Sequence, residues 1–186
     1  FEAAIYQRFD LPVRRFLIEL APFESFDPEM ARMVSGDPRA GEMLEWLQRH
    51  TSMLRCSGIR RFCFWPQFRA FLIWEMEREY TDEKRRALFS RGGLYYELKE
   101  DYPRALDCYA RGGDHSKVSE LLTRNSELHP GMGHYREMEK YYRALPEQEI
   151  LASPSLMQGM SMLCALASDY EGSERWYEEL RCFAQR

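Results

Sequence analysis

The 186-residue chain has no apolar run of about 18 residues and no charged, apolar, small-residue leader, so neither a membrane span nor a secretory signal is visible. It has no basic region either. Residues 1–80 hold 11 Lys+Arg against 12 Asp+Glu, residues 81–186 hold 15 against 18, and the net charge is -4. That balance argues against a dominant nucleic-acid surface, which shows as a basic domain or stripe. The five cysteines, Cys56, Cys63, Cys108, Cys164 and Cys182, are odd in number and contain no C-x-x-C pair. They read as reduced, mostly packed thiols of a cytoplasmic protein.

The motifs of catalysis are missing as well. His50, His115, His129 and His134 form no H-E-x-x-H or H-x-x-x-H arrangement, no G-x-x-x-x-G-K-S/T phosphate loop occurs, and no serine sits in a G-x-S-x-G elbow. No catalytic residue, metal ligand or cofactor-binding residue is therefore expected in this stretch, and a hydrolase or metalloenzyme is the weakest reading. The chain begins at Phe1 without Met and ends inside a helical pattern at Phe183–Arg186, so it is expected to be a piece of something longer.

What the chain does have is 45% hydrophobic and 14% aromatic residues, ample for a core. Ile5, Phe9, Val13, Phe16, Leu17 and Leu20 recur at helical spacing, interrupted at Asp10-Leu11-Pro12, with Arg8, Arg14 and Arg15 on the other side. Asp27-Pro28 has the form of an N-cap and first helical residue, and Asp37-Pro38 repeats it. The helix after Asp37 is expected to turn Met43, Leu44, Trp46 and Leu47 inward. Met53–Cys56 and Arg60–Trp65 flank Ser57-Gly58 as a hairpin, and Pro66–Tyr80 reads as an amphipathic helix. Three helices followed by a hairpin outline a winged-helix unit. Its third helix offers Glu42, Glu45 and Gln48 with only Arg39 and Arg49 positive, which does not suit a DNA reader.

From Thr81 onward the pattern is repeating helices. Phe89, Gly93, Tyr96, Ala105, Tyr109 and Gly112 approach the small and large alternation of a tetratricopeptide-type hairpin, broken at Lys99–Pro103. One hairpin cannot bury both faces, so helical neighbours are required. They follow as Val118–Leu128, Tyr135–Leu145 with a stop at Pro146, Leu156–Ala167 after Pro154, and Trp176–Phe183. The expected fold is all-α: a small winged-helix-like unit with a short β-hairpin over residues 1–80, then a tetratricopeptide-like array over residues 81–186. Polarisable Met and amphipathic Tyr suit adaptable surfaces, so Tyr135, Met138, Tyr142, Met157 and Met160 are the candidate ligand or partner residues, in a cluster with Met132, Tyr141 and Met162. Ordinary interhelical core is the competing reading of the same residues.

The run Phe62-Cys63-Phe64-Trp65-Pro66-Gln67-Phe68-Arg69-Ala70-Phe71-Leu72 resembles the Tyr-Arg-Tyr-His-Pro-Leu-Phe-Arg-Glu-Phe-Leu signature that closes the winged-helix domain of LuxR-type, ATP-dependent, MalT-like transcriptional regulators. Tyr95-Tyr96-Glu97, Gly112-Gly113-Asp114 and Leu145-Pro146 before Ser153-Pro154 follow the same family's order. The resemblance implies a regulatory sensor segment between an upstream nucleotide-binding domain that takes ATP or ADP and a downstream helix-turn-helix that binds DNA. Its partner would be a small-molecule or protein effector, with self-association possible and no membrane contact. Trp65 stands where the family has His, and an indole cannot contact phosphate as imidazole would. A stand-alone helical-repeat scaffold for protein or peptide binding is the alternative.

Overall fold

The computed structural model describes residues 2–56, 58–128 and 131–185, and among them the only strands are the two of one hairpin. The contacts divide the chain into two compact units, Phe1–Cys108 and Tyr109–Arg186. The fold is all-α with a short β-hairpin.

The first unit begins with α1 (Glu2–Tyr6) and α2 (Leu11–Leu20), separated at the expected break, then α3 (Pro28–Ser35) and α4 (Ala40–His50). Asp27 caps α3 as its sequence requires, its Oδ1 accepting from the Met30 N–H at 2.8 Å, and Gly36 ends that helix at φ 71°. Asp37 behaves differently. Its carboxylate accepts from the Arg39 N–H at 2.8 Å in a turn, and the helix starts only at Ala40. Within α4, Ala40, Leu44 and Leu47 are buried, whereas Trp46 is 46% exposed, stacked on His50 and edge-on to Phe9. The expectation of an inward Trp46 is corrected: residues 40, 44 and 47 share one helical face, and 46 falls outside it.

Strands β1 (Leu54–Cys56) and β2 (Phe62–Phe64) pair antiparallel, Leu54 opposite Phe64 and Cys56 opposite Phe62. Of the proposed Ser57-Gly58 turn, Ser57 lies outside the described residues. Phe26 extends the hairpin on its other edge, exchanging backbone hydrogen bonds with Phe62 at 2.9 and 2.8 Å. Helix α5 (Pro66–Glu79) buries Phe68, Leu72, Glu75 and Met76, and the aromatic core runs from Phe26 through Phe64 and Phe68 to Phe71 and Tyr6. Each large apolar side chain so buried contributes roughly 1.5–3 kcal/mol.

Helix α6 (Asp82–Leu98) starts at the Thr81 cap and packs on α3. The approach is close because Gly92 lies under Phe23: a Cβ there would stand 2.3 Å from the ring. The Tyr95 hydroxyl donates to Asp27 Oδ2 at 2.5 Å, Arg91 donates to the Val34 carbonyl at 2.7 Å, and Lys99 pairs with Glu29 at 2.7 Å. Residues on both sides of the winged-helix outline thus belong to the same compact unit. Helix α7 (Tyr102–Gly112) carries Pro103 in its first turn and contains the division between the units.

The second unit contains α8 (His115–Leu128), α9 (Met132–Ala144), α10 (Glu147–Leu151), α11 (Pro154–Leu166) and α12 (Tyr170–Ala184). The short α10, between the Pro146 stop and the Ser153 cap, is not apparent in the sequence pattern. Val118, Leu121 and Leu122 are buried as expected, but Leu128 is exposed at the helix end. Helix α11 packs against α8, α9 and α12, and Ser161 Oγ donates to the Ser173 carbonyl at 2.9 Å across the α11–α12 pair. Trp176 is the buried residue of α12, while Tyr177 points to solvent.

Candidate functional site

Helical spacing puts Tyr135, Met138 and Tyr142 on one face of α9 and Met157 and Met160 on one face of α11, and the two helices are in contact. All five side chains are buried. Tyr135 and Tyr142 meet ring to ring at 6.1 Å, and the Tyr142 ring lies against Gly159, where a Cβ would come within 2.5 Å of it. Tyr142 is 0% exposed and its hydroxyl has no hydrogen-bond partner. Burial pushes its ionisation above the ordinary tyrosine range. These residues are the interior of the second unit, with Tyr141 also buried, Met162 half-buried, and the Met132 side chain outside what is described.

The histidines are dispersed. His50 belongs to α4, its Nδ1 at 2.9 Å from the Trp46 carbonyl, His115 opens α8, His134 lies in α9, and His129 is outside the described residues. Among the described residues no group of three or more His, Cys, Asp or Glu is arranged to hold a metal ion, and no helix is long and apolar enough to cross a membrane.

The Phe62–Leu72 element does two things. Phe62, Phe64, Phe68 and Leu72 fill the core, and Arg69 fastens α5 to the segment after α2, donating to the carbonyls of Ala21 at 2.9 Å and Pro22 at 3.0 Å. Trp65, between them, faces outward. It precedes α5, is 47% exposed, and carries the Arg55 guanidinium 5.2 Å above its ring. The indole offers one N–H donor and no titrating nitrogen, so position 65 does not fit a nucleotide phosphate as imidazole does.

At the opposite end of α5 a cavity of about 610 Å³ opens between α1–α2 and the α5–α6 junction, lined by Tyr6, Leu11, Arg14, Arg15, Glu19, Glu79, Tyr80, Lys84, Ala87, Leu88 and Arg91. Glu19 is buried, yet satisfied: its Oε1 accepts from Arg15 Nε at 2.8 Å and from the Tyr80 hydroxyl at 3.2 Å. Burial, reinforced by Glu19, pushes the Tyr80 phenol well above its usual range, and burial with Glu79 and Glu75 pushes Tyr6 up to about 12. Arg14 donates to the carbonyls of Phe9, at 2.7 Å, and Gln7. The sequence shows Arg14 and Arg15 opposite an apolar stripe and nothing more. The cavity needs Glu19 and Tyr80 to meet across 61 residues, and no local pattern reports that.

No curated protein and no solved structure matches the chain. Residues 2–84, from α1 into the first turn of α6, match the family model for the MalT winged helix domain, so this part of the chain is similar to the winged-helix unit of MalT-like proteins.

Proposed function

We propose that this chain is the central regulatory segment of a LuxR-type, MalT-like transcriptional regulator, carrying effector binding between a nucleotide-binding domain and a DNA-binding helix-turn-helix that both lie outside the sequence. The winged-helix match over residues 2–84 is the observation that carries this reading. In the proposal, a winged-helix domain of about residues 1–80 leads into a tetratricopeptide-like array of residues 81–186, and the segment works in the cytoplasm without catalysis. ATP or ADP and DNA are bound elsewhere in the protein.

Helix α6 is the proposed relay. It is the first helix of the array, and Tyr95, Arg91 and Lys99 tie it to Asp27, Val34 and Glu29 of the winged-helix region. A displacement of α6 therefore has to break or carry those bonds. An effector reaching Tyr135, Met138, Tyr142, Met157 or Met160 would have to part α9 from α11, because all five are buried. No step is assigned to nucleotide at Trp65. The complete coding sequence tests the proposal: a phosphate loop upstream and a helix-turn-helix downstream are expected. If neither is present, the stand-alone scaffold takes its place.

A further inference from the structure

The cavity at the carboxy-terminal end of α5 gathers more positive than negative charge. Four cations, Arg14, Arg15, Lys84 and Arg91, and two carboxylates, Glu19 and Glu79, line it, a net of +2 in a chain of net charge -4. Their partners separate them further. Arg15 is neutralised by Glu19 at 2.8 Å. Arg14 and Arg91 are bonded to backbone carbonyls, which orient a guanidinium but leave its charge whole. Lys84 has no carboxylate partner among the described residues and lies 5.5 Å over the Tyr80 ring. On the acidic side, Glu19 is held by Arg15 and Tyr80, and Glu79 stands 3.4 Å from Arg78.

We propose that this cavity binds a small phosphate monoester, with Lys84 and the free guanidinium edges of Arg14 and Arg91 taking the phosphate and Leu11, Ala87, Leu88 and the Tyr6 and Tyr80 rings taking its organic body. A cavity of about 610 Å³ lies within the usual range of small-molecule sites, roughly 300–1,000 Å³. Apolar walls with a few convergent polar groups are the ordinary composition of such sites. Three cations without carboxylate partners suit a phosphate near two negative charges better than a single carboxylate, and guanidinium edges match its oxygens in pairs. A polynucleotide is the poorer match, because the positive charge is confined to one cavity and does not continue as a stripe. The site is distinct from Trp65: the 14 residues of α5 separate them by about 20 Å of helix. It also stands independently of the regulatory reading, since binding requires only the first unit.

The test is isothermal titration and thermal shift of the 186-residue chain with phenyl phosphate, inorganic phosphate and benzoate, against sodium chloride of equal ionic strength. Phenyl phosphate is expected to bind most tightly, inorganic phosphate next and benzoate weakly, each raising the melting temperature beyond the salt control. Lys84→Gln removes an exposed cation that meets only the Tyr80 ring among the described side chains, and is expected to weaken phenyl phosphate about tenfold, while Arg86→Gln, on the same helix and outside the cavity, leaves it unchanged. The proposal is overturned by stabilisation no greater than chloride gives, by equal losses in both variants, or by benzoate binding as tightly as phenyl phosphate.

Discussion

Asp27 joins α3 to α6 through a single carboxylate. Its Oδ1 caps α3 at 2.8 Å from the Met30 N–H, and its Oδ2 accepts the hydroxyl of buried Tyr95 at 2.5 Å. Asp27→Ala removes both interactions. Loss of the cap costs about 1 kcal/mol. Loss of a hydrogen bond to a charged group, leaving the phenol buried and unpaired, costs about 2 kcal/mol more. The sum is about 3 kcal/mol, a fall in melting temperature on the order of 10 °C for a chain of this size. Tyr95→Phe removes only the second interaction and is expected to cost about 1–2 kcal/mol. Asp27→Asn keeps a good capping side chain and falls between the wild type and Asp27→Ala. Urea denaturation of the two single variants and the double variant closes a thermodynamic cycle, in which the pair should be non-additive by at least about 1 kcal/mol. Additivity within 0.5 kcal/mol, or an Asp27→Ala loss below about 1 kcal/mol, would refute the bridging role of this carboxylate.

Other expectations concern the second unit and alkaline pH. Gly159→Ala drives a Cβ to 2.5 Å from the Tyr142 ring and is expected to destabilise by roughly 1–3 kcal/mol despite the better helix propensity of alanine, read by chemical denaturation. Tyr142→Phe deletes a buried hydroxyl that has no partner, so it should leave stability unchanged or raise it by about 1 kcal/mol, and a clear loss would mean that the hydroxyl is bonded. Tyr6 ionises at about 12 in the fold against 10.0 in an open chain, with burial the main cause. Between those values the unfolded chain binds fewer protons, so stability is full below pH 10.0 and falls as pH rises toward 12. Urea midpoints from pH 9 to 11 should show this fall, and Tyr6→Phe should make it shallower.

Much of the architecture was readable where one residue's chemistry decides the local backbone. Asp27 and Pro28 start a helix, Pro103 is tolerated in a first turn, Pro146 stops α9 and Pro154 opens α11. The Phe62–Leu72 element was readable as the close of a winged-helix unit, and residues 2–84 match that family model. The failures have a common cause. Trp46 and Leu128 keep the apolar character of a core residue but sit outside or beyond the buried face, and α10 is too short to show a period. The Tyr and Met residues of α9 and α11 were recognised as one cluster, but periodicity cannot separate an open groove from a closed interior, since both need the same apolar spacing. The cavity beside Tyr80 was invisible because its residues come from α1, α2, α5 and α6 and meet only in the folded unit.

The relay account is tested most directly in the full-length protein, by measuring retained nucleotide and enrichment of genomic DNA fragments, with residues 1–186 alone as the comparison. The account predicts that the full-length protein retains ADP or ATP and enriches a defined DNA sequence, while residues 1–186 do neither. A full-length protein that binds no nucleotide and selects no DNA would contradict it.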